Sequence, residues 1–275
     1  MPPDAWATQE ASDVDGPITL LGICGSPRPK GNSRYLLEVA LEAAAQAGGD
    51  RLRTELFTIA GKEYKPCTSC YTCGSRQGNC FQQDDFSELR DKWAAADAII
   101  YSVPVYHLGI PGQLKCFIDR LGNSLWSYYG GVVAKSLRVF GFVTQGAHIF
   151  AGQEHTLTAL VNHALVMGGI PVTGDPWESY IGAAGWTACG DRKDSLRRLV
   201  QAEDRDALVT LRAARSMGRR VAQMALLVRA GGLALCEELE ADGGYSIFLQ
   251  RLAAGRGAPG ALPRSAAPRQ GGDSY

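Results

Sequence analysis

The sequence predicts an α/β domain: a doubly wound parallel sheet with helices on both faces. Short apolar runs alternate four times with stretches of helical periodicity, and the connections between them are brief, the pattern of a sheet covered on both sides. A Gly- and Ser-containing polar loop follows the first run just where a helix begins, the position where such sheets bind ligands.

Ile18 to Cys24 is a short apolar run of the kind that forms a buried strand. Ser33 to Gln46 has helical spacing and many alanines; Asn32 or Ser33 can cap its start, and Gly48-Gly49 marks its stop. Leu52 to Phe57 reads as a second strand, after which residues 60–85 interrupt the alternation as a cysteine-rich loop insertion. Asp84 and Asp85, whose carboxylates can accept backbone N–H bonds, open a helix reaching about Ala95. Ala98 to Val103 is the third strand, and Pro111 suits the first turn of a helix running to about Leu121. An aromatic loop carrying Trp126, Tyr128 and Tyr129 leads to the fourth strand, Leu137 to Val143. A helix near Gln153–Met167 precedes a short fifth strand, Ile170 to Thr173, with further extended residues near Tyr180. A long Arg- and Ala-rich helix over 203–229 closes a domain assigned to 17–230. Residues 1–16 read as a disordered tail, and 231–275 as an extension that becomes disordered from about 253, where Gly, Pro, Ala, Arg and Ser take over.

Hydrophobic residues make up 45% and charged residues 20% of the 275, enough for a substantial core. Lys+Arg and Asp+Glu balance at 28 each, so net charge draws the chain neither to nucleic acid nor to an anionic membrane. The first sixteen residues lack a basic stretch followed by an apolar one, and no run approaches a membrane span. The expected location is cytoplasmic, where closely spaced cysteines signal metal or redox chemistry rather than structural disulfides.

Two motifs carry that chemistry. Gly25-Ser-Pro-Arg-Pro-Lys-Gly-Asn-Ser33 supplies hydroxyls, an amide and cations at a helix start, where free N–H groups and the helix dipole favour an anion. It has neither the G-x-G-x-x-G of a pyrophosphate loop nor the Gly-Lys-Ser/Thr order of a triphosphate loop, and a hydroxyl-rich loop of this kind suits a terminal phosphate monoester such as that of FMN. Two further loops, Pro104–Gly109 and Thr144–His148, end central strands at the same edge. Tyr106 can cover a flat ligand there, Pro104 and Gly109 let backbone approach it, and Gln145 can hydrogen-bond its polar edge. The second motif is Cys67-Thr-Ser-Cys70-Tyr-Thr-Cys73 followed by Cys80, soft ligands that favour iron–sulfur clusters, zinc or copper(I).

Leu21-Gly-Ile-Cys-Gly-Ser-Pro-Arg-Pro-Lys-Gly-Asn-Ser33, with Ser102-Val-Pro-Val-Tyr106 and Gln113-Leu-Lys-Cys-Phe-Ile-Asp-Arg120, resembles the NADPH-dependent FMN reductase family of flavodoxin-like proteins over about residues 17–170, and more loosely to 229. With its four closely spaced cysteines the chain is most similar to the iron–sulfur flavoprotein subgroup. That resemblance implies a five-stranded flavodoxin-like sheet of order 2-1-3-4-5, FMN at the strand carboxyl ends, and a homodimer or homotetramer in which one subunit's cluster lies near its neighbour's FMN. It also implies that Ser26, Arg28, Asn32 and Ser33 contact the phosphate. The loops around the isoalloxazine would be Pro104, Val105, Tyr106, His107, Leu108 and Gly109 together with Thr144, Gln145 and Gly146. Cys67, Cys70, Cys73 and Cys80 would ligate a [4Fe–4S] cluster. Zinc is the rival assignment, although structural zinc usually takes two separated knuckles; thiols retained without metal are another.

Cys24, Cys116, Cys189 and Cys236 are isolated and read as small hydrophobes. His107 and His148 fall in the flavin loops, where a proton donor to reduced flavin would be useful, but an ordinary hydrogen-bonded loop histidine is the simpler reading. His155 and His163 do not have the i, i+4 spacing of a helical metal pair, and the arginines of 205–220 read as a solvated face. The expected activity is an FMN oxidoreductase that takes electrons from NAD(P)H or a ferredoxin-type donor, through flavin and cluster, to a small-molecule acceptor. An FMN-only flavin or quinone reductase is the enzyme alternative, and a redox sensor with a non-catalytic cluster is the alternative of another class.

Overall fold

The computed structural model describes residues 16–129, 135–187 and 195–254. The expected tails before Gly16 and after Ala254, and Cys189, lie outside these residues.

Strand β1 (Ile18–Cys24) is followed by helix α1 (Asn32–Gly48), β2 (Leu52–Thr58), the short α2 (Thr72–Ser75) and α3 (Phe86–Ala95). Then come β3 (Ala98–Pro104), α4 (Gly112–Tyr128), β4 (Val139–Gly146), α5 (Gln153–Val166), β5 (Ile170–Pro171) and β6 (Ala183–Trp186). Helices α6 (Ser195–Gln201), α7 (Arg205–Ala234), α8 (Cys236–Glu240) and α9 (Ser246–Ala254) complete the chain. The strands run parallel in the order β2-β1-β3-β4-β5, the flavodoxin-like arrangement, with β6 also paired to β4.

The fifth position of the sheet is split. β3 occupies one edge of β4 from Val139 to Gln145, so β5, opposite Val139 and Phe140, and β6, opposite Val143 to Gly146, share the other edge. A turn at Trp177–Ser179 separates them. The strand expected over 170–173 is shorter, Ile170–Pro171, and the further extended residues expected near Tyr180 are β6, which starts at Ala183.

Side chains alternate across each strand, and two cores result. Ile18, Leu20, Ile100, Val139 and Val143 face α1 and α7. Leu21, Ile23, Ile99, Tyr101, Phe140 and Phe142 face α3, α4 and α5. α1 and α7 touch at backbone level: a methyl group on Gly218 would overlap the carbonyl of Ala40. The arginines Arg212 and Arg219 of α7 stay exposed and pair with Glu178 and Asp175, the solvated face expected of them.

Several boundaries differ from expectation. α4 continues past Leu121 to Tyr128, so Trp126 and Tyr128 belong to the helix and Tyr129 caps it; apolar Leu121 and Leu125 keep the helix seated on the sheet. β4 runs to Gly146, which makes Thr144, Gln145 and Gly146 strand residues rather than loop residues. α1 is preceded by Gly31, and neither Asn32 nor Ser33 caps it; no side chain does. The helical register extends to Ala234, and α9 carries helix through 253 to Ala254, where disorder was expected to begin.

Candidate functional site

The register of the sheet brings three loops to one edge. Cys24 lies opposite Ser102, and Pro104 opposite Gln145, so the carboxyl ends of β1, β3 and β4 are level.

The first loop wraps the amino end of α1. Gly25 N donates to Ser102 O at 2.9 Å, and Arg28 N donates to Ser26 Oγ at 3.2 Å. Ser26 and Ser33 are buried, while Arg28 and Lys30 are exposed. No acidic residue stands in the first turn of α1, a 17-residue helix, and no side chain caps it, so its leading N–H groups and its dipole are open to an anion. Ser26, Ser33 and the exposed cations are thus brought together. Asn32 is turned elsewhere: its Nδ2 donates to Ser195 Oγ at 3.2 Å and its Oδ1 accepts from Leu196 N at 3.1 Å, so it caps α6.

The second loop is a tight reversal. Tyr106 and Gly109 exchange both backbone bonds at 3.0 Å, and the two central residues, His107 (φ 47°) and Leu108 (φ 66°), are left-handed. Two positive φ values make the turn that matches strand twist, but Leu is a rare occupant of that region. Val105 N donates to Gln145 O at 2.8 Å, which holds the turn to β4. Tyr106 and Leu108 stay exposed, offering apolar cover at the edge.

The end of β4 supplies the third group. Thr144 and Gln145 are buried, and neither Thr144 Oγ1 nor Gln145 Oε1 has a hydrogen-bond partner. Orphaned buried polar atoms are rare and call for an explanation. Gln145 Nε2 donates to Gly146 O at 2.6 Å, and its Oε1 crowds Gly185 on the α7 side of β4, so its amide is partly engaged within the fold. An uncapped helix start beside hydroxyls and cations and an exposed aromatic turn at one edge fit a flat ligand with a phosphate tail, while Thr144 and Gln145, adjacent in β4, direct their side chains to opposite faces of the sheet.

The cysteine segment leaves the same edge after β2 and folds back onto α4. Cys67, Cys70, Cys73 and Cys80 line one hollow, which the second half of α4 closes with Arg120 and Asn123. Ser69 (φ 53°), Tyr71 (φ 55°) and Gln77 (φ 52°) are left-handed, so the chain curls tightly around the thiols at a cost in strain. Side chains point donors at the sulfurs: Asn123 Nδ2 to Cys67 Sγ at 3.5 Å, Ser127 Oγ to Cys73 Sγ at 3.4 Å, and Thr72 Oγ1 to Cys70 Sγ at 3.2 Å. The Thr72 hydroxyl, then its backbone N–H, hold the Cys70 thiol below its usual pKa. Ser124 Oγ donates to Gly78 O at 2.5 Å, pinning the loop before Cys80. Among the described residues, no group of three or more His, Cys, Asp or Glu side chains is gathered as a single metal ion would require. A four-iron cluster holds its ligand sulfurs farther apart than one ion does, and four thiols lining one hollow, three of them met by side-chain donors, fit that larger group.

Beneath the loop, Asp84 and Arg120 form a buried ion pair. Asp84 also accepts from Lys65 N at 2.8 Å and Phe86 N at 3.2 Å. Burial works against its charge, but Arg120 and these two N–H groups outweigh it and hold the carboxyl below its usual pKa. Asp85 accepts from Glu63 N at 2.7 Å. Of the two carboxylates expected to start α3, only Asp84 accepts a helix N–H, from Phe86, and Asp85 makes no cap; both instead staple the entry of the cysteine loop.

Sequence reasoning missed the α4 contribution. Arg120, Asn123, Ser124 and Ser127 stand at i, i+3, i+4 and i+7, a polar stripe at helical spacing that ending the helix at Leu121 concealed. His163, on α5, lies with its Nε2 3.2 Å from Tyr101 OH inside the core.

Residues 18–177 match the NADPH-dependent FMN reductase family. An iron–sulfur flavoprotein of Methanocaldococcus jannaschii is 35% identical over 77% of this chain and 100% of its own length. An iron–sulfur flavoprotein of Archaeoglobus fulgidus is 29% identical over 74% of this chain and 96% of its own. Among solved structures, RosB with a bound riboflavin-phosphate intermediate superposes with a TM-score of 0.54, at 13% identity, covering 94% of this chain and 99% of that one. An NAD(P)H:quinone oxidoreductase from Methanothermobacter marburgensis superposes with a TM-score of 0.50, at 19% identity, covering 74% and 98%; at such identities the likeness is one of fold. The family match over more than half the chain, with a full-length relative at 35% identity, makes this protein a flavin-dependent oxidoreductase of the NADPH-dependent FMN reductase family, within its iron–sulfur flavoprotein subgroup.

Proposed function

We propose that this oxidoreductase takes electrons from NAD(P)H or a ferredoxin-type donor, holds FMN at the carboxyl edge and a [4Fe–4S] cluster at Cys67, Cys70, Cys73 and Cys80, and reduces a small-molecule acceptor. The observation that carries the cluster is the set of donors from α4 and the loop itself directed at cysteine sulfurs around one hollow. When bound, flavin supplies hydride and single-electron transfer and a cluster supplies single-electron transfer; the protein supplies position and electrostatics.

Ser26, Ser33 and the amino end of α1 bind the phosphate, and Arg28 and Lys30 attract it. The turn at Tyr106 to Gly109 shields the ring, and the end of β4 at Thr144, Gln145 and Gly146 lies beside it. Asn32 reaches the phosphate only by leaving Ser195 and Leu196. Asn123 and Ser127 meet the thiols 11 and 15 residues beyond the Gly112 start of α4, roughly 16 and 22 Å along the helix axis. That separation supports a homodimer or homotetramer in which the thiol loop of one subunit serves the flavin edge of another. No helix among the described residues is long and apolar enough to cross a membrane, and free cysteines suit a reducing cytoplasm.

The test is anaerobic purification with iron, sulfide, zinc and flavin counted per chain, on wild type and each single Cys→Ala variant. The expected result is iron and sulfide in wild type, most of both lost in every variant, and FMN retained throughout. Zinc without sulfide would replace the cluster by a zinc site, and FMN without any metal in wild type would leave an FMN-only reductase.

A further inference from the structure

We propose that Arg120 is a positioning residue for the thiol site: its unpartnered Nε and Nη2 donate to the sulfur atoms gathered by the loop and set how readily that centre takes an electron. The inference rests on the cluster reading above.

Arg120 is 3% exposed. Its Nη1 is engaged by Asp84 and by Lys65 O at 3.4 Å, and its guanidinium carbon sits 4.2 Å over the Phe86 ring. Nε and Nη2 are enclosed and form no hydrogen bond of normal geometry, and the Cys80 thiol lies close enough to interact with the guanidinium. Leaving two charged donors dry and unbonded is strongly unfavourable, so the site is incomplete as it stands. Arg120 lines the same hollow as the four cysteines, and thiolate sulfur is the acceptor that hollow provides.

Neighbouring charges leave Arg120 this role. The oxygens of Asp84 are engaged by Lys65 N, Phe86 N and Arg120 itself. Arg90, the other buried cation against the loop, is committed to Gly78 O at 3.2 Å, Asn79 Oδ1 at 3.0 Å and Asp91 at 2.7 Å. Asn123, Ser127 and Thr72 donate to sulfur but carry no net charge. An electron arriving from a reductant adds one negative charge to the centre without breaking a bond; Asp84 offsets the charge of Arg120, so it is the N–H donors aimed at sulfur in a dry site that favour that state. Hydrogen bonds to the sulfurs and local charge are established levers on such potentials.

The experiment compares wild type, Arg120→Lys and the double variant Asp84→Asn/Arg120→Met, in which the pair is removed together so that no buried carboxylate is stranded. Each full-length chain is prepared anaerobically, iron and sulfide are counted, and cluster and FMN are titrated with dithionite under spectroscopic observation. The double variant is expected to lower the reduced-to-oxidised ratio of the cluster at a fixed potential by at least tenfold, about 59 mV for a one-electron couple, with the FMN midpoint unchanged. Arg120→Lys keeps the charge and loses the fork, so a shift of at least threefold is expected there, and it decides the matter if the double variant does not fold. Loss of iron with FMN retained in the double variant, restored by Arg120→Lys, also supports the proposal. A cluster ratio within twofold of wild type in the folded variants overturns it and leaves the cluster reading intact. Wild type without iron and sulfide overturns both.

Discussion

Leu108 lies directly against Gly152: a methyl group on Gly152 would come within 2.6 Å of both the α-carbon and the carbonyl oxygen of Leu108. The left-handed turn at the carboxyl edge of the sheet is therefore clamped by the residue that precedes α5. Gly152 is itself left-handed, at φ 99°. Gly152→Ala should lose more than about 1 kcal/mol of stability, because alanine is strained there and the turn must move. Thermal melts and FMN retention on gel filtration check this. Gly122→Ala is the control: it lies within α4 with nothing close to its added methyl, and it should be neutral or raise stability by up to about 1 kcal/mol.

Ser26→Ala should weaken FMN binding by roughly tenfold or more, since a hydrogen bond to a charged group is worth about 1.5–3 kcal/mol. Asn32→Ala removes the acceptor of Leu196 N, so it should destabilise the chain by about 1 kcal/mol, as losing a helix cap does. Fluorescence titration of apoprotein with FMN, alongside urea unfolding, separates the two effects. Unchanged FMN affinity in folded Ser26→Ala would place the phosphate elsewhere.

His163 should make the fold acid-sensitive. Burial first, and then Lys115, push its pKa down to about 4, against a smaller upward pull from Asp119. Tyr101 OH and the Trp93 ring surround the imidazole. The folded state keeps His163 neutral while the unfolded chain protonates near 6.5, so the unfolded state binds more protons between those values. Stability is full above about pH 6.5, falls as pH drops below it, and stops falling from this cause below about 4. Between pH 7 and 5 the loss should be about 2 kcal/mol. Urea unfolding of wild type and His163→Gln at both pH values measures it; parallel pH dependence in the two proteins would show that His163 is not responsible.

Gly218→Ala should prevent proper docking of α7 on α1, because the added methyl meets the Ala40 carbonyl, which no side-chain rotation can relieve. Overpacking of this kind typically costs about 1–3 kcal/mol. The measurement is soluble yield and melting temperature against Ala225→Gly, a change on the same helix that adds no atoms.

The alternation of apolar runs and helical stretches was legible because strands buried on both faces have no polar residues to hide, and short connections leave parallel pairing as the packing that works. Ile18 to Cys24, Ala98 to Val103 and the Gly48-Gly49 stop can be read from residue type alone. Sequence also determined which residues have the chemistry: hydroxyls and cations ahead of α1, and four closely spaced thiols. Tertiary structure decided how they are used. Asn32 looks like a cap or a phosphate ligand until α6, more than 160 residues along the chain, packs close enough to claim its amide. The strip Arg120, Asn123, Ser124 and Ser127 has no meaning until the cysteine loop, some fifty residues upstream, folds back onto that face of α4. The break between β5 and β6 follows from pairing along one edge of β4. In each case the deciding contact joins distant segments, so its free energy depends on neighbours that local propensity does not encode, whereas periodicity and caps act over a few residues and leave their mark in the order of the chain.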